Sequence, residues 1–411
     1  EQGYITSSSP ALVVNGVVVV GNSAEQGYNQ TRAEMIPGDI LGYDARTGEK
    51  LWKFDVLPGP GEVGHETWEN DAWEWTGDIS SWAPLSADAE LGLVYIPTNG
   101  ATQDYSGGFR PGDNLYTGSI LALDPQTGDI KWHYQTTPRE GWDYDGVNEV
   151  VAYTDREGNK RFATADRNGF FYVLNREDGA FVSAAPFVKD ITWADGVDET
   201  GRPKFVEENR PGNPASAADG NKGDVIFASP SFLGGKNWMP MAFSQNTGNF
   251  YVPSNEWGMD IWNEPITYKK GAAYLGAGFT IKPNYEDHIG SLKAIDPDTG
   301  EWKWEYKNDS PLWSGVMTTA GGLVFFGTPE GEFIALDDET GEKLWSFQTG
   351  SGIVGQPVTW EQDGEQFVSV ISGWGGAVPL WGGEVAKKVN YLNQGGLLWT
   401  FKLPKELAMT E

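Results

Sequence analysis

The sequence predicts an all-β fold, a β-propeller of four-stranded antiparallel blades, and three observations predict it. A short phrase ending in tryptophan recurs along the chain. Apolar runs bounded by Gly, Pro, Asn or Asp fill the stretches between its copies, and no long amphipathic helix interrupts them.

The phrase is an apolar pair, Asp, two residues, Thr-Gly, three residues and Trp, and it occurs four times. The copies are LGYDARTGEKLW ending at Trp52, LALDPQTGDIKW at Trp132, LKAIDPDTGEWKW at Trp304 and FIALDDETGEKLW at Trp345. Each reads as a strand, a tight turn and a second strand. The Asp and Thr side chains bond local backbone, Gly takes positive φ, and Trp anchors the returning strand. A degenerate copy, FYVLNREDGAFV, keeps the turn at Asn175 and Asp178-Gly179 but has no Trp, and QGGLLWTF around Trp399 suggests a sixth. Spacings run from 41 residues (Trp304 to Trp345) to 80 (Trp52 to Trp132), so inserted loops separate some units.

The runs between copies, such as ALVVNGVVVVG, GLVYIP, GLVFFG and QFVSVISG, supply the remaining strands. A single sheet with one Trp cannot cover both its faces, so stacked, radially repeated blades are the architecture that buries them. Most of the 19 tryptophans are then expected to pack blades.

Composition bounds function. With 58 acidic against 29 basic residues, the net charge of −29 repels nucleic acid and anionic lipid, which leaves cationic partners favoured. No apolar run is long enough for a membrane-spanning helix. Without cysteine there are no disulfides, thiolate metal sites or covalently attached haem. Three histidines, His65, His133 and His288, make an imidazole zinc site improbable, so carboxylates and a cofactor must carry any chemistry.

The tryptophan phrase resembles the docking motif of the pyrroloquinoline quinone (PQQ) dehydrogenases, the methanol and ethanol dehydrogenase family. The resemblance runs nearly end to end, from TSSSPALVVNGVVVVGNSAEQG to GGLLWTF. It implies an eight-bladed type of propeller, of which about six blades are recognisable in the sequence. A single quinoprotein domain over residues 1–411 that lacks N-terminal blades is therefore expected, as is a signal peptide outside the sequence.

The resemblance also assigns roles. In WDYDGVN, Asp143 follows a tryptophan where the family places its general base. Asp145, two residues on, matches the extra aspartate of the lanthanide-dependent branch, since a trivalent ion demands more negative charge from hard oxygen ligands. Glu25 in NSAEQG and Asn99 in PTNGATQ stand at the remaining metal-ligand positions, with Asn99 one place earlier than the family pattern. The implied metal set is thus Glu25, Asn99, Asp143 and Asp145, holding a lanthanide(III) or Ca2+.

For the quinone, Trp82 in SSWAPLSAD is the implied floor, 17 residues before Asn99, and Arg167 in ADRNG is the implied partner of the quinone oxygens. Ser7, Ser80, Asn237 in GKNWMP, Trp313, Trp374, Gly375 and Gly376 fall on further contact positions. The family's pair of adjacent cysteines against the upper face of the quinone is absent from this sequence.

The resemblance therefore implies a periplasmic alcohol dehydrogenase that passes electrons to a c-type cytochrome, with a homodimer as an assembly to test. Two alternatives stand beside it: a non-catalytic propeller scaffold, and a sugar or polyol dehydrogenase on the same cofactor.

Overall fold

The structure, a computed structural model, describes residues 10–21, 38–77, 79–101, 104–146, 148–211, 223–264, 276–389 and 394–402. It divides into two compact units, Glu1–Trp238 with Gly258–Thr280, and Met239–Trp257 with Ile281–Glu411. Among the described residues there are five four-stranded sheets, two three-stranded sheets and one two-stranded ribbon.

The first unit holds three of the four-stranded sheets. Their strands are Leu12–Val14, Val17–Val20, Ile40–Asp44 and Lys50–Phe54; Ser86–Asp88, Leu93–Pro97, Ser119–Leu123 and Ile130–Gln135; and Val151–Thr154, Lys160–Ala165, Phe170–Asn175 and Phe181–Pro186. In each, strands adjacent in sequence pair antiparallel. The ribbon Ala194–Val197 with Pro203–Phe205 follows.

The second unit holds Ala242–Phe243, Phe250–Asn255, Gly290–Ile295 and Trp302–Asn308 as one sheet and Met317–Thr318, Leu323–Gly327, Glu332–Asp337 and Lys343–Gln348 as another. A three-stranded sheet, Val358–Gln362, Glu365–Ser372 and Leu397–Lys402, comes last. Between the last two of these strands lie two short helices, Ala377–Trp381 and Gly383–Val389.

The repeated phrase forms the hairpin its residues predict. Asp44 Oδ1 accepts the N–H of Arg46 at 2.9 Å and of Thr47 at 2.7 Å, and these donors hold its carboxyl below the usual range. Gly48 then takes φ 75°. Asp337 and Gly341 repeat the arrangement, with Oδ1 accepting from Thr340 N at 2.8 Å and φ 71° at the glycine. Each Trp pairs with a small residue on the preceding strand, Gly42 with Trp52, Ala122 with Trp132, Ala294 with Trp304 and Ala335 with Trp345, and a register shift follows each pair.

The Trp of one sheet covers the turn glycine of the next. Trp52 lies over Gly128, where an added Cβ would meet its Cδ2 at 2.7 Å, and its Nε1 donates to Pro125 O at 2.8 Å. Trp132 covers Gly179, where an added Cβ would meet its Cε3 at 2.5 Å, and Trp304 covers Gly341 while donating to Asp338 O at 3.1 Å. Trp345 differs: it is 39% exposed and meets Phe401 edge-on at 5.1 Å. The final sheet has three described strands and hence no phrase turn to place a glycine beneath that indole.

Candidate active site

Five stretches of the first unit meet: residues 79–83, 98–101 with 104–110, 136–146 with 148–149, 165–168, and 229–237, which follows the strand Ile226–Ala228. The loop of residues 136–149 is shaped by Glu140. This buried carboxylate accepts, through Oε1, the N–H of Trp142 at 2.5 Å and of Tyr144 at 2.8 Å. Between those two donors Asp143 is held at φ 61°, a left-handed conformation that a residue with a Cβ seldom adopts. The flanking aromatics pin the loop. Trp142 and Tyr144 stack at 5.9 Å, Trp142 Nε1 donates to Asn209 O at 2.9 Å, and Tyr144 Oη donates to Pro230 O at 2.6 Å.

Asp143 thus projects its carboxylate toward two partners. Tyr105 Oη donates to its Oδ2 at 3.0 Å, and Arg167 Nη1 stands 3.5 Å from its Oδ1. Arg167 also donates to Asp143 O at 2.9 Å, faces Asp145 Oδ2 at 3.5 Å, and lies 5.2 Å above the Trp82 ring. Asp145 is fixed from the other side, accepting Gly100 N–H on Oδ1 at 2.7 Å and Trp82 Nε1–H on Oδ2 at 3.3 Å. At Gly100 an added Cβ would lie 2.9 Å from Glu140 Oε2 and 3.4 Å from Asp145 Oδ1, so a side chain here would displace the Glu140 carboxylate.

Asn99 precedes that glycine. Its Oδ1 accepts Ser80 N–H at 2.5 Å and Ser80 Oγ–H at 3.2 Å, which joins both residues to the same wall. Asn237 is buried in a loop whose Gly235 N–H donates to Arg167 O at 2.9 Å; its own amide bonds Leu233 O and Trp238 N–H, each at 2.9 Å. Trp82, Ser80, Asn99, Asp143, Asp145, Arg167 and Asn237 are therefore brought together. In the second unit, Trp313 is buried edge-on to Trp257 at 6.0 Å, and Trp374 bonds Ser351 Oγ and Val389 O, each at 3.2 Å. Gly375 and Gly376 follow Trp374 with open space around their Cα atoms. Ser7 and Glu25 lie outside the described residues.

The site gathers more negative charge than it neutralises. Burial, then the charges of Asp145 and Asp104, push the Asp143 carboxyl well above its usual range against the opposing pull of Arg167. Burial and the Asp145 charge push Asp104 up to about 8, and burial pushes Glu140 up to about 7. Burial also brings Arg110 down to about 10 despite its carboxylate neighbours.

A hard multivalent cation fits this arrangement. The donors are carboxylate and amide oxygens, the excess charge is negative, and Glu140 Oε2 is buried without a hydrogen bond. Among the described residues no three carboxylates converge as a closed ligand set. Asp143, Asp145 and Asn99 could offer oxygens to such an ion, and Glu25, the fourth expected ligand, lies outside the described residues. A flat anionic ring system is equally suited to a half-buried indole, Trp82, with a fixed guanidinium above it.

Tyr105, Asp104 and Glu140 were not foreseen from the sequence. Tyr105 and Asp104 stand in QDYSGGFRPGDNLY, a loop with no periodicity. Glu140 carried one signal: an acidic residue close ahead of a non-glycine turn can accept that turn's amides.

Comparison with known proteins bears on the whole assembly. The family described as the glucose/ethanol/alcohol dehydrogenase β-propeller domain, PQQ, matches residues 1–186 and 283–368. The quinoprotein alcohol dehydrogenase PedH of Pseudomonas putida is 53% identical over 430 residues, covering 100% of this chain and 70% of that protein. The 1-butanol dehydrogenase (quinone) of Thauera butanivorans is 42% identical over 414 residues, covering 90% of this chain and 66% of that protein. Among solved structures, a europium-containing methanol dehydrogenase superposes with a TM-score of 0.85 at 33% identity, over 97% of this chain and 74% of that one.

Proposed function

This chain belongs to the β-propeller family of PQQ-dependent glucose, ethanol and alcohol dehydrogenases, and from that premise we propose that it oxidises an alcohol to the aldehyde or ketone at the site around Asp143. When bound, PQQ supplies the two-electron oxidant and a lanthanide(III) or Ca2+ supplies Lewis acidity. The residues of the chain supply the rest.

Asp143 is the general base. The hydroxyl proton of the alcohol passes to its carboxylate, the carbinol carbon gives up its hydrogen as hydride to the two-electron oxidant, and the C–O bond becomes a carbonyl. The left-handed turn and the contacts of Tyr105 and Arg167 fix where that carboxylate points. Arg167 and Trp82 would hold the quinone, the guanidinium supplying a fixed positive charge and the indole a flat apolar face. Asp145, Asn99 and Glu25 join Asp143 as oxygen ligands of the ion. Within the first unit, Ser80 and Asn237 would be further cofactor contacts.

Electrons then leave to a separate c-type cytochrome, whose docking the −29 net charge of the chain would favour. The periplasm is the compartment this reading implies. Among the described residues no helix is long and apolar enough to cross a membrane.

The observation that carries the reading is Asp143, strained into position beside Arg167 over Trp82. A purely structural scaffold has no need of this group of buried charges. Dye-linked alcohol oxidation by the chain loaded with PQQ and metal is the test, with Asp143→Asn expected to lose at least about 100-fold in kcat. Undiminished turnover by that variant would overturn the assignment.

A further inference from the structure

We infer that Tyr105 is a positioning residue for the base: its hydroxyl holds the Asp143 carboxylate in the orientation from which the alcohol proton is taken. The inference rests on the reading of Asp143 as general base.

The geometry is specific. Tyr105 is fully buried, and its Oη donates to Asp143 Oδ2 at 3.0 Å, while Arg167 approaches Oδ1. The two oxygens are thereby distinguished: one is tied to a neutral donor, the other faces a fixed cation. A carboxylate on a single χ1/χ2 pair can rotate, and neither the left-handed backbone nor Arg167 alone sets its plane. A donor on Oδ2 does.

Tyr105 is itself fixed from three sides. Its ring packs against Phe232 at 6.2 Å and Phe279 at 5.9 Å, and those two rings contact one another at 4.6 Å. Its backbone carbonyl accepts Asn263 Nδ2–H at 3.0 Å. Core packing asks only for the ring, which phenylalanine also provides. Among the described residues the hydroxyl donates to one carboxylate, that of Asp143, and Asp143 is the proposed base.

A hydrogen bond to a charged group contributes about 1.5–3 kcal/mol. If that contribution is spent on orienting the base in the transition state, its loss lowers kcat by about 10- to 100-fold. Substrate and cofactor binding, which do not use the hydroxyl, change little.

The test is Tyr105→Phe in the chain loaded with PQQ and metal, with Asp143→Asn assayed beside it. Three quantities are read: the absorbance titration with PQQ, kcat per bound PQQ, and KM for a primary alcohol. The expected result is a kcat about 10- to 100-fold lower, with PQQ affinity and KM within about threefold of the parent. An unchanged kcat overturns the inference. So does a kcat loss matched by an equal loss of PQQ affinity, which is what a structural role in the aromatic cluster produces. If Asp143→Asn retains full activity, the base assignment itself fails and the role of Tyr105 falls with it.

Discussion

The backbone N–H of Gly100 donates to Asp145 Oδ1 at 2.7 Å, and this bond ties the extra aspartate of the site to the loop that carries Asn99. The second oxygen of Asp145 faces Trp82 Nε1 and Arg167 Nη1. A carboxylate so placed joins the loop of Asn99 to the Trp82 indole.

Removing it should discriminate between ions. A trivalent ion gains more from each added negative oxygen than a divalent one, by simple Coulomb attraction. Asp145→Ala is expected to lower lanthanum-supported activity at least about tenfold and calcium-supported activity less. Dye-linked assays with each ion measure it, and equal losses with both ions would refute the assignment.

Glu140 should matter through the backbone. Its Oε1 accepts the two amides around Asp143, so Glu140→Gln can keep both bonds while Glu140→Ala loses them and frees the left-handed turn. The alanine variant is expected to lose about 2 kcal/mol of stability by urea denaturation and most of its activity; glutamine should be the milder change in both. The reverse order would show that charge, and not hydrogen bonding, is what Glu140 supplies.

The buried carboxylates also set a pH dependence in the metal-free chain. Glu140 rises from 4.5 to about 7, Asp104 from 3.8 to about 8, and Asp143 is raised as well. A folded state that holds these protons longer than the unfolded chain is fully favoured below the unfolded values, and the advantage is lost as pH climbs through the folded ones. Thermal stability without metal should therefore decline between about pH 5 and pH 8. Bound lanthanum or calcium should flatten that decline, and a metal-free chain that gains stability over the same interval would contradict the description of the site.

Two turn glycines separate strain from close packing. Gly341 has φ 71° and Trp304 directly over it, with an added Cβ 2.7 Å from the indole; Gly364 has φ 73° and open space. Alanine at Gly364 should cost about 1–2 kcal/mol, the left-handed penalty alone. Alanine at Gly341 should cost about 1–3 kcal/mol more, because the indole must move. Chemical denaturation of both variants measures the difference.

These glycines also show why so much of the fold could be read from the sequence. The Asp-x-x-Thr-Gly phrase states its own turn and returning strand within a dozen residues, and its repetition supplies the turn glycine on which Trp52, Trp132 and Trp304 each dock in the next sheet. Trp345 departs because the sheet that follows has three described strands and no phrase turn to set a glycine beneath it, which leaves the indole 39% exposed. The site divides along the same line. Asp143, Asp145 and Arg167 stand in short motifs and are found together, whereas Tyr105 and Glu140 reach Asp143 through loop paths that carry no period. The Asn237 amide is spent on its own loop, a detail only tertiary structure fixes.

The measurement that tests the account most directly is a titration of the chain with PQQ in the presence of lanthanum or calcium, followed by the cofactor's absorbance and by dye-linked alcohol oxidation. The account predicts metal-dependent binding with turnover, stronger with lanthanum, and loss of that preference in Asp145→Ala. Absence of binding with either ion would contradict it.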